Sequence, residues 1–112
     1  MADRSAADIG PGTLSGELAG ATITATVRYF AAARAAAGVM QESVRIPVPT
    51  GSGRGGCTIG LLLDVLIARH GGELARVLPR CSYLLDEVAV HGTGTMLSDG
   101  QVLDVLPPFA GG

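Results

Sequence analysis

The sequence predicts an α+β fold in which a mixed β-sheet curls around one main helix. Three observations predict it: apolar and polar side chains alternate from Thr22 to Tyr29, a single helical stripe of aliphatic residues runs from Ile59 to Ile67, and the last third returns to short strand-like segments separated by turn signals. A chain of 112 residues has room for one core, and 47% hydrophobic against 16% charged residues argues against disorder of the whole.

Residues 1–21 are small, polar and glycine-rich with no period of 2 or 3.6, and read as a flexible N-terminal extension; the domain proper is expected over 22–108, with a flexible tail over 109–112. In the first strand Ile23, Ala25, Val27 and Tyr29 share one face, and Thr24, Thr26 and Arg28 the other. The run AAARAAA (31–37) is rich in the strongest helix former and ends at Gly38, a suitable C-cap, so it predicts one or two helical turns. Val39 to Val48 supplies a return strand with Val44, Ile46 and Val48 on one face. Pro49 to Gly56 holds four glycines in eight residues but lacks the G-x-x-x-x-G-K-[ST] spacing of a phosphate cradle, and reads as a solvated loop.

Thr58 is placed to cap a helix that runs to His70 and stops at Gly71-Gly72. Ile59, Leu62, Leu63, Leu66 and Ile67 form its apolar stripe, and Gly60 weakens its first turn slightly. Glu73 to Leu78 predicts a short extra turn before Pro79. Cys81–Leu85 and Val88–Val90 flank Asp86-Glu87, a loose turn covers His91 to Gly94, and Asp99-Gly100 turns the chain into a last strand, Val102 to Leu106. Pro107-Pro108 ends pairing, since neither residue has an N–H to donate. One amphipathic helix available to cover one face of such a sheet defines a β-grasp arrangement.

Several function classes are disfavoured. A net charge of −2 gives no basic field for nucleic acid, and 4% aromatics without tryptophan gives no base-stacking platform. No apolar run reaches membrane-spanning length, and the first residues lack the basic and apolar regions of a secretory signal, so the expected location is the cytoplasm. Cys57 and Cys81 belong to no Cys/His cluster; they are expected to be reduced, incidental thiols, and no metal site is expected. No Ser/His/Asp or paired-carboxylate constellation is present. Asp99 reads as a turn residue, His70 as a favourable charge at a helix C-terminus, and His91 has no convergent partner.

The informative segment is Leu106-Pro107-Pro108-Phe109-Ala110-Gly111-Gly112. A strand, two prolines and two glycines make a stiff stem with a narrow tip; Gly-Gly has no Cβ and can thread a tight channel. Gly-Gly alone would read as a frayed end. Together with Val27-Arg28-Tyr29-Phe30-Ala31-Ala32-Ala33-Arg34, the helix opened by Thr58, and Leu97-Ser98-Asp99-Gly100-Gln101-Val102, it makes residues 22–112 resemble the MoaD/ThiS family of ubiquitin-like sulfur carriers. The MoaD branch, the small subunit of molybdopterin synthase, is most similar, above all actinobacterial members whose tail reads LPPFAGG.

The resemblance implies that Gly112, preceded by Gly111, is the working residue. In the family an E1-like (MoeB-like) adenylyltransferase activates the terminal carboxylate with ATP and Mg²⁺, and a rhodanese or cysteine desulfurase provides sulfur. The resulting thiocarboxylate enters the large (MoaE-like) subunit of a heterotetramer and donates sulfur to cyclic pyranopterin monophosphate. The chain itself would bind no cofactor, and catalysis would lie in the large subunit. Phase analysis adds a docking face: Phe30 falls on the Thr24/Thr26/Arg28 side, and Leu106 is in phase with Asp104, opposite Leu103 and Val105. With first and last strands parallel neighbours, Phe30 and Leu106 would sit side by side at the root of the tail. The resemblance extends the partner-binding set to Arg34, Ala89, Pro107, Pro108, Phe109 and Ala110. Sulfur delivery to thiazole, cysteine or tRNA, a lysine-conjugated modifier and a plain interaction module remain open alternatives.

Overall fold

The structure, a computed structural model, describes residues 22–48 and 56–108. The readings made for 1–21, for 49–55 and for Phe109, Ala110, Gly111 and Gly112 lie outside the described residues.

Strand β1 (Thr22–Tyr29) alternates as expected, with Ala25, Val27 and Tyr29 buried. Helix α1 (Ala31–Ala37) follows and ends at Gly38, whose φ of 81° is the left-handed conformation that glycine accommodates and whose N–H reaches back to the Arg34 carbonyl at 2.9 Å. The chain then returns in β2 (Gln41–Pro47), antiparallel to β1 from Thr22↔Pro47 to Arg28↔Gln41. Strand β3 (Cys57–Thr58) leads directly into α2 (Ile59–His70). Thr58 caps α2 as expected, its hydroxyl accepting from the Leu61 N–H at 3.1 Å.

The break after α2 needs only Gly71, at φ 91°. Gly72 already opens α3 (Gly72–Val77), which passes into a 3₁₀ turn over Leu78–Arg80, so the helix restarts one residue earlier than the sequence suggests. Strands β4 (Ser82–Leu85) and β5 (Val88–Val90) form a hairpin, β6 (Met96–Leu97) pairs with β3, and β7 (Val102–Leu106) closes the fold. Asp86 and Glu87 both take positive φ (49° and 70°), the backbone that a two-residue hairpin requires. The Asp86 carboxylate accepts from the Val102 N–H at 2.9 Å, and that of Asp99 from the Thr24 N–H at 2.7 Å, so these acids pin turns, as expected of Asp99.

The main sheet has the order β2-β1-β7-β4-β5, with β1 and β7 parallel (Thr26↔Val102 to Tyr29↔Val105) and the other pairs antiparallel. A parallel pair demands a crossover connection, and α2 lies within it. Its buried residues Ile59, Leu62, Leu63 and Leu66 pack with Val27, Val44, Ile46, Leu103 and Val105 from the sheet and with Leu74 of α3. Each such aliphatic side chain contributes roughly 1.5–3 kcal/mol on burial. The β3–β6 ribbon was not foreseen, because two residues per strand are too few to show alternation.

Candidate docking face and tail root

The strand registers fix which residues share the face turned away from α2. One row runs Arg28, Asp104, Leu84, Ala89 across β1, β7, β4 and β5; the next pairs Leu106 with Ser82. Phe30 extends β1 by one residue, its N–H donating to the Val105 carbonyl at 3.2 Å, which sets it beside Leu106. Phe30 is 41% exposed, Leu106 and Leu84 are half-buried, and Ala89 is exposed. Phe30, Leu106 and Ala89, selected by phase and by resemblance, are thus brought to one face. Leu84 was not among them. Its signal was available: of the adjacent Leu84 and Leu85 only one can face the core, and Leu85 takes that position.

Within the first of these rows Arg28 and Asp104 form a two-pronged ion pair, Nε to Oδ1 at 2.6 Å and Nη2 to Oδ2 at 2.9 Å. Asp104 lies in the phase that would face solvent, yet it is only 5% exposed. The guanidinium satisfies its carboxylate, and those hydrogen bonds in turn push the Arg28 pKa upward.

A second polar cluster lies behind Phe30. Tyr29, 2% exposed, donates its hydroxyl to Glu42 Oε2, which also meets His70 Nε2 at 2.5 Å, while Arg69 donates to Oε1 at 2.8 Å. The Tyr29 and His70 rings meet edge to face, centroids 5.9 Å apart. Burial pushes Glu42 toward the neutral form, but the hydrogen bonds from Tyr29, His70 and Arg69 outweigh it and hold the carboxyl below its ordinary value. Burial first, and Glu42 second, drive the Tyr29 phenol upward. His70 therefore has a partner beyond the helix dipole.

Arg34 is exposed in the last turn of α1. Pro107 is half-buried and Pro108 exposed; both line a groove of about 320 Å³ with Ala32, Arg76, Val77 and Arg80. A larger groove along α2, lined by Leu61, Leu63, Ile67, Leu78 and Tyr83 among others, shares no residue with this tail root. Burial raises both thiols: Cys57 donates to the Pro47 carbonyl and Cys81 to that of Val77. The Tyr83 phenol, half-buried and donating to the Leu78 carbonyl, is pushed up to about 12, chiefly by desolvation. Among the described residues no three His, Cys, Asp or Glu side chains converge, and no helix is long and apolar enough to cross a membrane.

A five-stranded mixed sheet with parallel outer-sequence strands β1 and β7, one covering helix and an open face at the root of the C-terminal segment defines a ubiquitin-like β-grasp domain. The profile of the ThiS family matches residues 27–112, and the chain belongs to that family, which comprises ubiquitin-like sulfur carriers and modifiers. Among solved structures it is similar to the HVO 2177 protein of Haloferax volcanii, with 28% identity, a TM-score of 0.65, and coverage of 81% of this chain and 88% of that one. It is also similar to SAMP1 from Haloferax volcanii (25% identity, TM-score 0.62, covering 80% and 99%). The fold recurs in a protein–protein complex of subunits 1 and 2 of the molybdopterin-converting factor from Helicobacter pylori (23% identity, TM-score 0.51, covering 80% and 100%). No curated protein matches the chain at a comparable level of significance.

Proposed function

We propose that this chain is the sulfur-carrier subunit of a cytoplasmic molybdopterin synthase, of the MoaD branch, with Gly112 as the sulfur-bearing residue. The observation that carries the reading is the apolar pair Phe30–Leu106 on the open face, at the root of a Pro107-Pro108 stem that continues in sequence to Ala110-Gly111-Gly112. The tail sequence LPPFAGG and the likeness to subunit 1 of a two-subunit converting factor support the same branch.

A carboxylate is a poor electrophile, so the E1-like partner first joins it to AMP from ATP, releasing pyrophosphate. A persulfide on the rhodanese or cysteine desulfurase then displaces AMP to give an acyl disulfide. A thiol attacks the enzyme-side sulfur, releasing the thiocarboxylate and leaving a disulfide between that thiol and the enzyme cysteine. Phe30, Leu106, Ala89 and Leu84 dock on the large subunit, the Pro107-Pro108 stem aims the tail, and Phe109 to Gly112 carry the sulfur to the pterin. Two carriers per pterin provide the dithiolene, consistent with a heterotetramer. Arg34 adds a peripheral contact. ATP and Mg²⁺ belong to the activating partner.

The likeness to SAMP1 favours a second reading, a ubiquitin-like modifier joined to lysines of other proteins. All eight basic residues of the sequence are arginine, so no lysine side chain of the chain itself could take its own tail. Sulfur delivery to thiazole, cysteine or tRNA thiolation is the remaining carrier alternative. Intact mass after incubation with an E1-like enzyme, ATP and a sulfur donor distinguishes them. One oxygen-to-sulfur exchange at Gly112, and loss of molybdopterin formation on deleting Gly112 from an otherwise folded chain, is the expected result. No exchange with any cognate activating enzyme, or full activity of the deletion, would overturn the reading; an isopeptide on a target protein would favour the modifier.

A further inference from the structure

The groove at the tail root has a chemistry that the docking face lacks. Helix α3 packs against α1, and the 3₁₀ turn continues α3 toward β4. The result places Ala32, Val77, Pro107 and Pro108 around a hollow of about 320 Å³, whose lining Arg76 and Arg80 complete. Both arginines are exposed. Arg76 meets Glu73 only at 3.9 Å in an exposed contact, too long and too solvated to hold it in place. This local excess of positive charge stands in a chain whose formal net charge is −2.

We propose that the Arg76/Arg80 groove is a second docking site for the protein that takes up the tail, and that it receives an acidic segment of that protein: carboxylates on the two arginines, with an adjoining apolar side chain against Val77 and Pro107. This rests on the function proposed above, in which that protein is the large subunit. Charge complementarity selects a carboxylate-bearing occupant, since a planar guanidinium fork pairs two-pronged with a carboxylate and stacks over apolar surface. The apolar floor selects a peptide segment over a bare anion. Continuity strengthens the case: Pro107 and Pro108 line the groove and directly follow Leu106 of the docking face, so a partner that grips the stem meets both surfaces. Steering by two arginines would also raise the association rate and make it sensitive to salt.

The test compares full-length wild type, Arg76→Glu/Arg80→Glu, the milder Arg76→Gln/Arg80→Gln, and Phe30→Glu for binding to the large subunit at roughly 50 and roughly 300 mM salt. Circular dichroism checks that each variant folds. The charge-reversed variant is expected to bind on the order of tenfold or more weakly at the lower salt, the glutamine variant less severely, and the salt dependence of wild type should flatten in both. Wild-type affinity and unchanged salt dependence in both arginine variants, with binding lost in Phe30→Glu, would overturn this inference and leave the proposed function standing. Failure of wild type itself to bind the large subunit would overturn both. Uptake of inorganic pyrophosphate on Arg76 and Arg80 by the free chain, with partner affinity unaltered in the variants, would assign the groove to a small anion and also overturn it.

Discussion

Ala31 directly follows the exposed Phe30 and takes φ of +50°, in the left-handed region that an L side chain adopts at a penalty of roughly 1–2 kcal/mol. That backbone turns the chain out of β1 into α1 while Phe30 remains hydrogen-bonded to Val105. Glycine relieves the clash but adds roughly 0.5–1 kcal/mol of unfolded-state entropy, so Ala31→Gly is expected to be neutral or slightly stabilising. Ala31→Val should lose about 1 kcal/mol or more, because a β-branched side chain fits this region worst. Urea denaturation reads the order, and a valine variant as stable as wild type would contradict the strain. The neighbouring Phe30→Glu change exposes no core, since 41% of Phe30 already faces solvent. It should leave the melting temperature within a few degrees while weakening large-subunit binding on the order of tenfold or more; unfolding would instead show that Phe30 is core.

The elements are joined by contacts of a different visibility. Glu42 of β2 ties Tyr29 of β1 to Arg69 and His70 at the end of α2. Because the fold holds Glu42 below its ordinary value of 4.5, its ionised form contributes stability above that pH, and the contribution is lost as pH falls through the lower folded value. Wild type should therefore lose stability below about pH 4.5 more steeply than Glu42→Gln, which should already be weaker at neutral pH; parallel pH profiles in urea would refute this role. The strands and helices themselves could be read from alternation, from the Ile59–Ile67 stripe and from Thr58, Gly38 and Gly71, because period and capping are local properties. The Glu42 cluster could not be read, since its members sit 13 and 28 positions apart and only the register brings them together. The β3–β6 ribbon was invisible for the opposite reason: it is too short to carry a period.

At the scale of the molecule, the sheet separates the core, on one face, from the proposed docking surface on the other. Leu103 and Leu84 occupy adjacent strands, yet Leu103 points into the core under α2 and Leu84 lies on the open face beside Asp104 and Ala89. Strand phase made Phe30 and Leu106 legible as the wrong-sided apolar residues; the adjacent pair Leu84-Leu85 showed that one leucine must face outward, and Asp104 gave no sign that Arg28 would cover it. The two faces predict opposite phenotypes. Leu103→Ala leaves a cavity in a fully buried site and should lose roughly 2–5 kcal/mol, with partner affinity falling only in proportion to the unfolded fraction. Leu84→Asp should change stability much less, because Leu84 is only half-buried, while placing a carboxylate next to Asp104 and against the proposed docking surface. Calorimetry paired with titration of the large subunit separates the two. If Leu84→Asp bound as wild type does while Phe30→Glu did not, the docking surface would be confined to the Phe30–Leu106 end of the face and would not extend across β4 to Ala89.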